Sequence, residues 1–336
     1  MTLSNFIRLK FILPKLMRPK FIQQKFNLLS QIVFSALAVS ALAVSALAVS
    51  ALVFSPIATA EPITVVDFKG REVSLNAPAE RIVTLAPHIV ENVFAIGQGH
   101  RIVGTVEYSD YPEAAKKIPR IGGYVSAGVE SIIAQNPDLV IAWGTGNKNS
   151  TINKLIDLGY TVYIDEPHTI DDIAKSFRDI ARLTGHAELG EREAKHLREK
   201  HAYLREKYAT QKTLSVFYEV WNEPLQSING KHLISDVIRL CGGKNIYGNA
   251  PSLAPLIGLE SILERNPDVI IASGMGEERP EWLDEWKKYP ELKAVKNSHL
   301  FYIPPDLLQR HTGRILDGAE LMCSQLSRVR MAALKE

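Results

Sequence analysis

Large aromatic side chains lie at the ends of predicted strands, where they could bind a ligand. Trp143 and Trp221 each directly follow an apolar run that predicts a buried strand, and Tyr108 and Tyr124 lie in nearby loops. Ligands of open α/β sheets bind beyond the carboxyl ends of the strands, and aromatic rings there can stack on a flat molecule. We therefore predict that these four residues bind a bulky, flat and partly apolar ligand. Any one of them alone is as readily explained by core packing.

A loop in the second half of the chain adds polar groups to this candidate site. Its predicted ligand-contacting residues are Asp306, Leu307, Leu308, Gln309 and Arg310. Asp306 and Arg310 could hydrogen-bond to amide or phosphate groups of a ligand, or they could form only a local ion pair. His88 follows the first predicted core strand and could ligate a metal ion, but a single histidine is more often structural.

The sequence lacks the motifs that mark common catalytic sites. It contains no Gly-x-Ser-x-Gly elbow, no His-Glu-x-x-His motif and no P-loop, and its nine histidines lack metal-ligand spacing. The near balance of 39 basic and 37 acidic residues is unlike that of a nucleic-acid-binding protein. We therefore predict a binding protein that uses no metal or cofactor and binds no nucleic acid. An exported α/β hydrolase is the alternative.

An internal repeat predicts two similar lobes that position these residues. Residues 128–146 (GVESIIAQNPDLVIAWGTG) and 258–276 (GLESILERNPDVIIASGMG) match at 11 of 19 positions. Each copy predicts a short helix, an Asn-Pro-Asp turn and a buried strand that ends at glycines. A spacing of 130 residues is too long for a solenoid. Alternating strands and helices elsewhere predict parallel α/β units in both lobes.

A highly charged segment, residues 186–211, separates the two copies. Its thin apolar stripe consists of Ala194, Leu197, Tyr203 and Leu204. A long, mostly polar helix at this place is predicted to join the lobes, and an ordinary surface helix is the alternative. The predicted organisation is a signal peptide at 1–60, an N-terminal lobe at 61–185, a connecting helix at 186–211 and a C-terminal lobe at 212–336.

The first sixty residues have the pattern of an export signal. Six basic residues and no acid precede or flank an apolar stretch at 32–54, which is followed by Pro56 and by Ala58-Thr59-Ala60. This order of charge, apolar run and small residues predicts a secretory signal peptide cleaved near Ala60, with an uncleaved anchor as the alternative. Without these bases the remaining chain has a net charge of −4.

Two further residue pairs are candidates for other roles. Glu130 and Glu260 occupy equivalent positions in the repeat, each at the start of a predicted helix. The helix dipole favours an acid there, but two symmetric acids would also suit docking on a two-fold basic partner. Cys241 and Cys323 are the two cysteines of the chain. An oxidising compartment favours a disulfide between them over two buried thiols.

Six segments together carry a resemblance to a known family. They are residues 84–87, 108–112, 130–143, 241–246, 260–272 and 306–315. Through them, residues 62–336 resemble the periplasmic binding proteins of the iron-siderophore/cobalamin class, which feed ABC importers. The resemblance implies an α/β, class III architecture of two Rossmann-like lobes, each with a central sheet, joined by a long interdomain helix. It also implies only small closure of the lobes on binding.

The resemblance implies that cobalamin (vitamin B12) binds in the cleft between the lobes. The residues implied to contact it are Tyr108 and the Asp306–Arg310 loop. Cobalamin binders of this class carry aromatic residues after the aspartate, whereas this chain has Leu307 and Leu308. Haem or a ferric siderophore is the alternative ligand.

The same resemblance implies partners for the remaining candidate residues. Cys241 and Cys323 are implied to form a disulfide. Glu130 and Glu260 are implied to engage arginines of a permease dimer that works with ATPase subunits. The mature chain is expected in the periplasm, soluble and monomeric in isolation.

Overall fold

The computed structural model describes residues 61–274 and 278–333. The predicted signal peptide lies outside these residues, and so does the end of the second repeat copy.

The N-terminal lobe is built on a parallel sheet with strand order β4-β3-β5-β6. The strands of this lobe are β1 (Ile63–Val66), β2 (Glu72–Leu75), β3 (Ile82–Thr84), β4 (Ile102–Thr105), β5 (Leu139–Trp143) and β6 (Val162–Asp165). Its helices are α1 (Pro87–Ala95), α2 (Val129–Ile133), α3 (Asn149–Asp157) and α4 (Ile170–Leu183). Strands β1 and β2 pair separately as the antiparallel hairpin that the alternating pattern predicts.

A long helix, α5 (Ala187–Tyr208), follows the N-terminal lobe. Ala194, Leu197 and Leu204 are buried on its inner face, whereas Tyr203 is exposed to solvent. Helix α5 packs closely on α4 at Gly190, where a Cβ atom would clash with the Phe177 carbonyl. The narrow stripe therefore suffices to bury one face, as is usual for a mostly polar helix.

The C-terminal lobe is built on a second parallel sheet with strand order β10-β7-β11-β12. Its strands are β7 (Leu214–Glu219), β8 (Trp221–Asn222), β9 (Leu225–Gln226), β10 (Gly243–Asn245), β11 (Val269–Ala272) and β12 (Leu300–Tyr302). Its helices are α6 (Leu233–Leu240), α7 (Leu259–Arg265), α8 (Lys293–Lys296), α9 (Pro305–Leu308) and α10 (Ile315–Ala332). Strands β8 and β9 form a short antiparallel hairpin beside this sheet.

The two sheets have the same topology, and the sequence repeat explains why. Numbered within its own lobe, each sheet has the strand order 2-1-3-4, and all neighbouring strands are parallel. The repeat copies fall on α2 and β5 in one lobe and on α7 and β11 in the other. The prediction of two Rossmann-like lobes is confirmed.

The Asn-Pro-Asp turn of the repeat has the same structure in both lobes. Asn136 and Asn266 have φ values of 48° and 44°, in the left-handed region that asparagine tolerates better than most residues. The side chains of Asp138 and Asp268 accept backbone hydrogen bonds near the starts of β3 and β7, at 3.0 and 2.8 Å. The turn therefore fixes the helix, the following strand and its neighbour together.

The apolar core connects the two lobes. One buried cluster runs from Ile89 of α1 through Leu197 of α5 to Leu326 of α10. Two smaller clusters cover the opposite faces of the two sheets. Because apolar residues cover both faces of each sheet, the strands read as continuous apolar runs, as is usual in parallel sheets.

Cys241 and Cys323 form a disulfide that joins the end of α6 to α10, 82 residues apart in sequence. Both residues are fully buried. The predicted disulfide is confirmed. Among the helices of the described part of the chain, none combines the length and the apolar character needed to span a bilayer.

Candidate ligand-binding site

An aromatic pair lies at the carboxyl edge of the N-terminal sheet. The rings of Tyr124 and Trp143 are 5.9 Å apart between centroids and tilted by 41°. Tyr124 is 41% exposed and Trp143 is half-buried. Trp143 ends β5, next to β3, where the strand order of the sheet reverses. Such a reversal is where open α/β sheets bind ligands.

A buried asparagine that the sequence analysis did not identify holds this pair in place. Asn147 accepts a hydrogen bond from the Trp143 backbone at 2.6 Å and donates to the carbonyls of Leu85 and Tyr124, at 2.8 and 2.7 Å. One side chain thus joins the loops after β3 and β5 to the Tyr124 loop. The only sequence signal is its place after Gly144-Thr145-Gly146, where asparagine favours turns.

The loop after β4 carries the most exposed aromatic residue of the site. Tyr108 is 72% exposed, and its φ of 64° is uncommon for a residue other than glycine. Ser109 anchors the loop from below because its hydroxyl accepts a hydrogen bond from Thr105 Oγ1 at 3.0 Å, and Thr105 in turn accepts one from Thr84. The Tyr108 ring is therefore available on a loop whose backbone is fixed.

The predicted ligand-contacting loop of the C-terminal lobe begins with the short helix α9, and only some of its side chains are accessible to solvent. Asp306, Leu307 and Gln309 are half-buried, and Gln309 donates to Ser273 Oγ at the end of β11, at 3.1 Å. Leu308, in contrast, is 0% exposed and belongs to the apolar core. The prediction that Leu308 contacts the ligand is therefore wrong, because α9 turns this side chain inward, against Gly318 of α10.

Arg310 joins the two lobes through a group of charged residues. We call this group, which consists of Glu91, Asp110, Asp306, Arg310 and Arg314, the Arg310 cluster. Arg310 Nη1 donates to Glu91 Oε1 at 2.7 Å and to Asp110 Oδ1 at 3.1 Å. Its Nη2 donates to the Tyr108 carbonyl at 3.2 Å and lies 3.0 Å from Asp306 Oδ1. The local Asp306 pair predicted from the sequence exists, but it is one contact among several.

Burial and charge act against each other in this cluster. Burial raises the pKa of Glu91, and the positive charges of Arg310 and Arg314 only partly offset this effect. Burial would lower the pKa of Arg310, but the hydrogen bond to Glu91 and the nearby carboxylates raise it overall. The guanidinium group of Arg310 therefore stays charged although it is only 13% exposed.

A second polar group lies behind Trp143. The His88 ring meets the Trp143 ring edge-on at 5.3 Å and lies 5.8 Å from the His311 ring of the other lobe, which is 6.4 Å from the His232 ring. His88 Nε2 lies 3.7 Å from Asp165 Oδ2, and neither atom has a hydrogen-bond partner among the described residues. The rings thus form a row from the N-terminal into the C-terminal lobe.

Burial dominates the electrostatics of this group. It lowers the pKa of His88 well below its usual value and that of His232 and His311 to about 4. It also raises the pKa of Asp165 to about 7. The described residues contain no group of three or more side chains arranged to hold a metal ion. Because their pKa values are lowered, we expect His88, His232 and His311 to be neutral at ordinary pH.

Trp221, Glu130 and Glu260 are the remaining predicted residues. Trp221 is half-buried in β8, and its Nε1 donates to the Glu223 carbonyl at 2.7 Å. No ring contact or hydrogen bond in the described residues joins it to the other predicted ligand-binding residues. Glu130 and Glu260 are both exposed in the first turns of α2 and α7.

Comparison with known proteins identifies the family. The family model of the periplasmic binding proteins matches residues 82–307. The vitamin B12-binding proteins of Vibrio campbellii and Vibrio cholerae are 33% and 34% identical to this chain over 255 and 249 residues. These alignments cover 76% and 74% of this chain and 92% and 90% of those proteins.

Solved structures show the same relationship. The crystal structure of the periplasmic vitamin B12-binding protein BtuF of Vibrio cholerae has a TM-score of 0.69 at 33% identity, over 75% of this chain and 98% of that chain. The periplasmic haem-binding protein RhuT of Roseiflexus sp. RS-1, at 23% identity, shares the fold with a TM-score of 0.68 over 75% of this chain and 99% of that chain. The chain belongs to the periplasmic binding protein family.

Proposed function

We propose that this chain is an exported solute-binding protein that captures cobalamin between its lobes and delivers it to an ABC importer. The observation that carries the proposal is the contact of Arg310 with the Tyr108 loop, because it brings aromatic and charged groups of both lobes together. The similarity to vitamin B12-binding proteins over most of the chain supports the choice of ligand. We propose binding without catalysis.

The chemistry of the site suits a corrinoid. Cobalamin combines a broad, flat macrocycle with peripheral amide groups. The aromatic side chains of Tyr108, Tyr124 and Trp143 offer surfaces for stacking on the macrocycle. Asp306 and Arg310 offer an acceptor and donors for the amides. Leu307 adds apolar surface where an aromatic residue is usual.

Calorimetric titration of the mature protein with cyanocobalamin tests the ligand. We expect a dissociation constant of about 1 μM or tighter, which corresponds to about 8 kcal/mol of binding free energy. Titrations with haemin and with a ferric hydroxamate siderophore are run in parallel. Tight binding of either of these, with no heat from cyanocobalamin, would assign another ligand of the same class.

Tyr108→Ala tests the site, with Tyr203→Ala as its control. Both tyrosines are exposed, at 72% and 55%, but Tyr203 lies on the outer face of α5. We expect Tyr108→Ala to weaken cobalamin binding about tenfold, since an aromatic contact contributes about 1 kcal/mol beyond the burial of its area. Equal affinities of the two variants would remove Tyr108 from the site.

We further propose that Glu130 and Glu260 dock on basic residues of a two-fold permease dimer with ATPase subunits. Both acids are exposed on equivalent helices, and neither forms an ion pair with a residue of the described part of the chain. The double variant E130K/E260K should bind cobalamin normally but abolish uptake. Glu264→Lys on the same helix α7 is the matched control and should retain uptake. Loss of ligand binding in the double variant would make the acids structural.

Export and domain organisation are proposed from the sequence pattern. Residues 1–60 would be a signal peptide, and the mature chain would divide into lobes at 61–185 and 212–336 around the connecting helix. Amino-terminal sequencing of the periplasmic form should begin at Glu61. A mature protein that retains the apolar segment would instead be membrane-anchored.

A further inference from the structure

Glu91 is the most deeply buried member of the Arg310 cluster, and the cluster crosses from one lobe to the other. We propose that Glu91 is a positioning residue: it holds Arg310, and through Arg310 it fixes the loop that carries Tyr108. The inference deepens the proposed function, on which its effect on cobalamin binding rests. Glu91 itself would touch no ligand.

The hydrogen bonds of Glu91 give the first reason. Its two carboxylate oxygens each accept from a different arginine of the C-terminal lobe, Oε1 from Arg310 at 2.7 Å and Oε2 from Arg314 at 3.3 Å. A carboxylate can serve two donors in this way, whereas an amide of the same shape has only one accepting oxygen. Glu91 is thus the acceptor common to both guanidinium groups.

Exposure separates Glu91 from the other acids of the cluster. The side chain of Glu91 is 3% exposed, whereas those of Asp306 and Asp110 are 25% and 45% exposed. Water screens the two aspartates, and ligand amides can reach them. Buried charge-assisted bonds are stronger than exposed ones. We therefore assign the permanent contact of Arg310 to Glu91 and the exchangeable contacts to the aspartates.

Neighbouring contacts show that α1 also binds the segment that bears Arg310. Asn92, next to Glu91, donates to the His311 carbonyl at 3.1 Å. The guanidinium of Arg314 lies 3.8 Å from the centre of the Tyr111 ring, which belongs to the loop after β4. The segment from 310 to 314 is therefore held from α1 and from the Tyr108 loop at the same time.

The backbone of Tyr108 supplies the link to the ligand. Its φ of 64° is an uncommon conformation that persists only where surrounding contacts maintain it. Arg310 Nη2 donates to the carbonyl of this residue at 3.2 Å, and Nη1 of the same guanidinium is fixed by Glu91. Loss of Glu91 would free the guanidinium, and the Tyr108 ring would lose its fixed direction.

A measurement without ligand tests the positioning. 3-Fluorotyrosine is placed at position 108, and its fluorine NMR resonance is recorded in the wild type and in Glu91→Ala, Arg310→Ala and the double variant. We expect the resonance to shift towards its unfolded-chain position by the same amount in all three variants. Glu80→Ala is the control, because Glu80 pairs with Arg101 within the N-terminal lobe at 3.1 Å, and its resonance should match the wild type. A wild-type resonance in Glu91→Ala would overturn the inference.

A double-mutant cycle on cobalamin affinity tests the consequence. We expect Glu91→Ala to weaken binding about tenfold in the wild-type background, the scale of one hydrogen bond to a charged group, but less than about twofold in the Arg310→Ala background. A merely structural role would give the same loss in both backgrounds, and that result would overturn the inference. Glu91→Gln, which keeps the side-chain shape, should lie between wild type and Glu91→Ala and covers the case in which alanine prevents folding.

The two measurements separate the inference from the proposed function. If cyanocobalamin does not bind the wild type but the fluorine resonance shifts as expected, the positioning by Glu91 stands and the ligand assignment fails. If cobalamin binds but neither the resonance nor the affinity depends on Glu91, the positioning fails and the ligand assignment stands.

Discussion

Asp165 should make the folded protein less stable as the pH rises towards neutrality. It ends β6, is 0% exposed, and lies with His88 behind the Trp143 ring. Ser176 donates one hydrogen bond to its Oδ1 at 2.5 Å, and its Oδ2 has no partner among the described residues. Burial, reinforced by the charge of Glu166, raises the pKa of Asp165 from 3.8 to about 7.

The sign and size of the effect follow from proton linkage. Below pH 3.8 the acid is protonated in both the folded and the unfolded chain, so its stability contribution is fully present. As the pH rises to about 7, the unfolded chain releases the proton while the folded protein keeps it, and stability falls. A difference of about three pH units corresponds to about 4 kcal/mol, all of it lost above about pH 7.

Asp165→Asn tests this reasoning because asparagine resembles the protonated acid and can keep the bond from Ser176. Urea unfolding of both proteins, followed by tryptophan fluorescence from about pH 4.5 to about pH 8.5, gives two stability profiles. The variant should gain about 3 kcal/mol relative to the wild type across this range. Contributions of other groups cancel in the difference.

Asp157→Asn is the matched control, because Asp157 is exposed at the end of α3. Its profile should run parallel to that of the wild type. In the contrary case, the difference in free energy of unfolding between Asp165→Asn and the wild type changes by less than about 1 kcal/mol over the pH range. The pKa of Asp165 in the folded protein would then lie close to that in the unfolded chain. That result would refute the assignment of a buried, protonated acid.

Other parts of the fold lead to further expectations. Replacing Cys241 and Cys323 by alanine should lower the free energy of unfolding by about 4 to 5 kcal/mol, since the disulfide closes a loop of 82 residues; urea denaturation of the variant and of the oxidised wild type measures it. Leu308→Ala should cost about 2 to 5 kcal/mol because the side chain is fully buried, whereas Leu307→Ala should cost less stability but weaken ligand binding in calorimetry. Burial lowers the pKa of His311 from 6.5 to about 4. As the pH falls from 6.5 towards 4, the unfolded chain takes up a proton that the folded protein does not, so the folded protein loses stability. His311→Gln should therefore gain about 3 kcal/mol over the wild type in acid unfolding curves.

The parts of the site that follow strands could be predicted from the sequence. Trp143 ends an apolar run, and the rule that ligands bind beyond strand ends places it at the sheet edge. The structure has its ring there, 5.9 Å from the Tyr124 ring. This prediction needs only local sequence information, because a strand and the residue at its end are adjacent in the chain.

Leu308 shows where such local rules fail. It lies in a segment that follows a strand, but α9 directs its side chain into the core. Periodicity carries little information in a helix of four residues. Only packing against α10 decides which side of α9 is buried.

Glu91 could have been noticed but not interpreted from the sequence. It is an acid within the otherwise mostly apolar helix α1 (PHIVENVFA), which indicates a buried partner. Its partner Arg310 lies 219 residues away. No spacing rule connects residues at that distance.

The sequence by itself determined the elements and their arrangement within each lobe. The repeated Asn-Pro-Asp turn, the apolar strands and the charged connecting helix are set by backbone preferences and by hydrophobic periodicity, which act over a few residues. The tertiary structure decided which polar groups meet between the lobes, from the Arg310 cluster to the row of His88, His311 and His232. Burial and the pKa values that depend on it exist only once both lobes are folded and in contact, because desolvation is a property of the assembled surroundings.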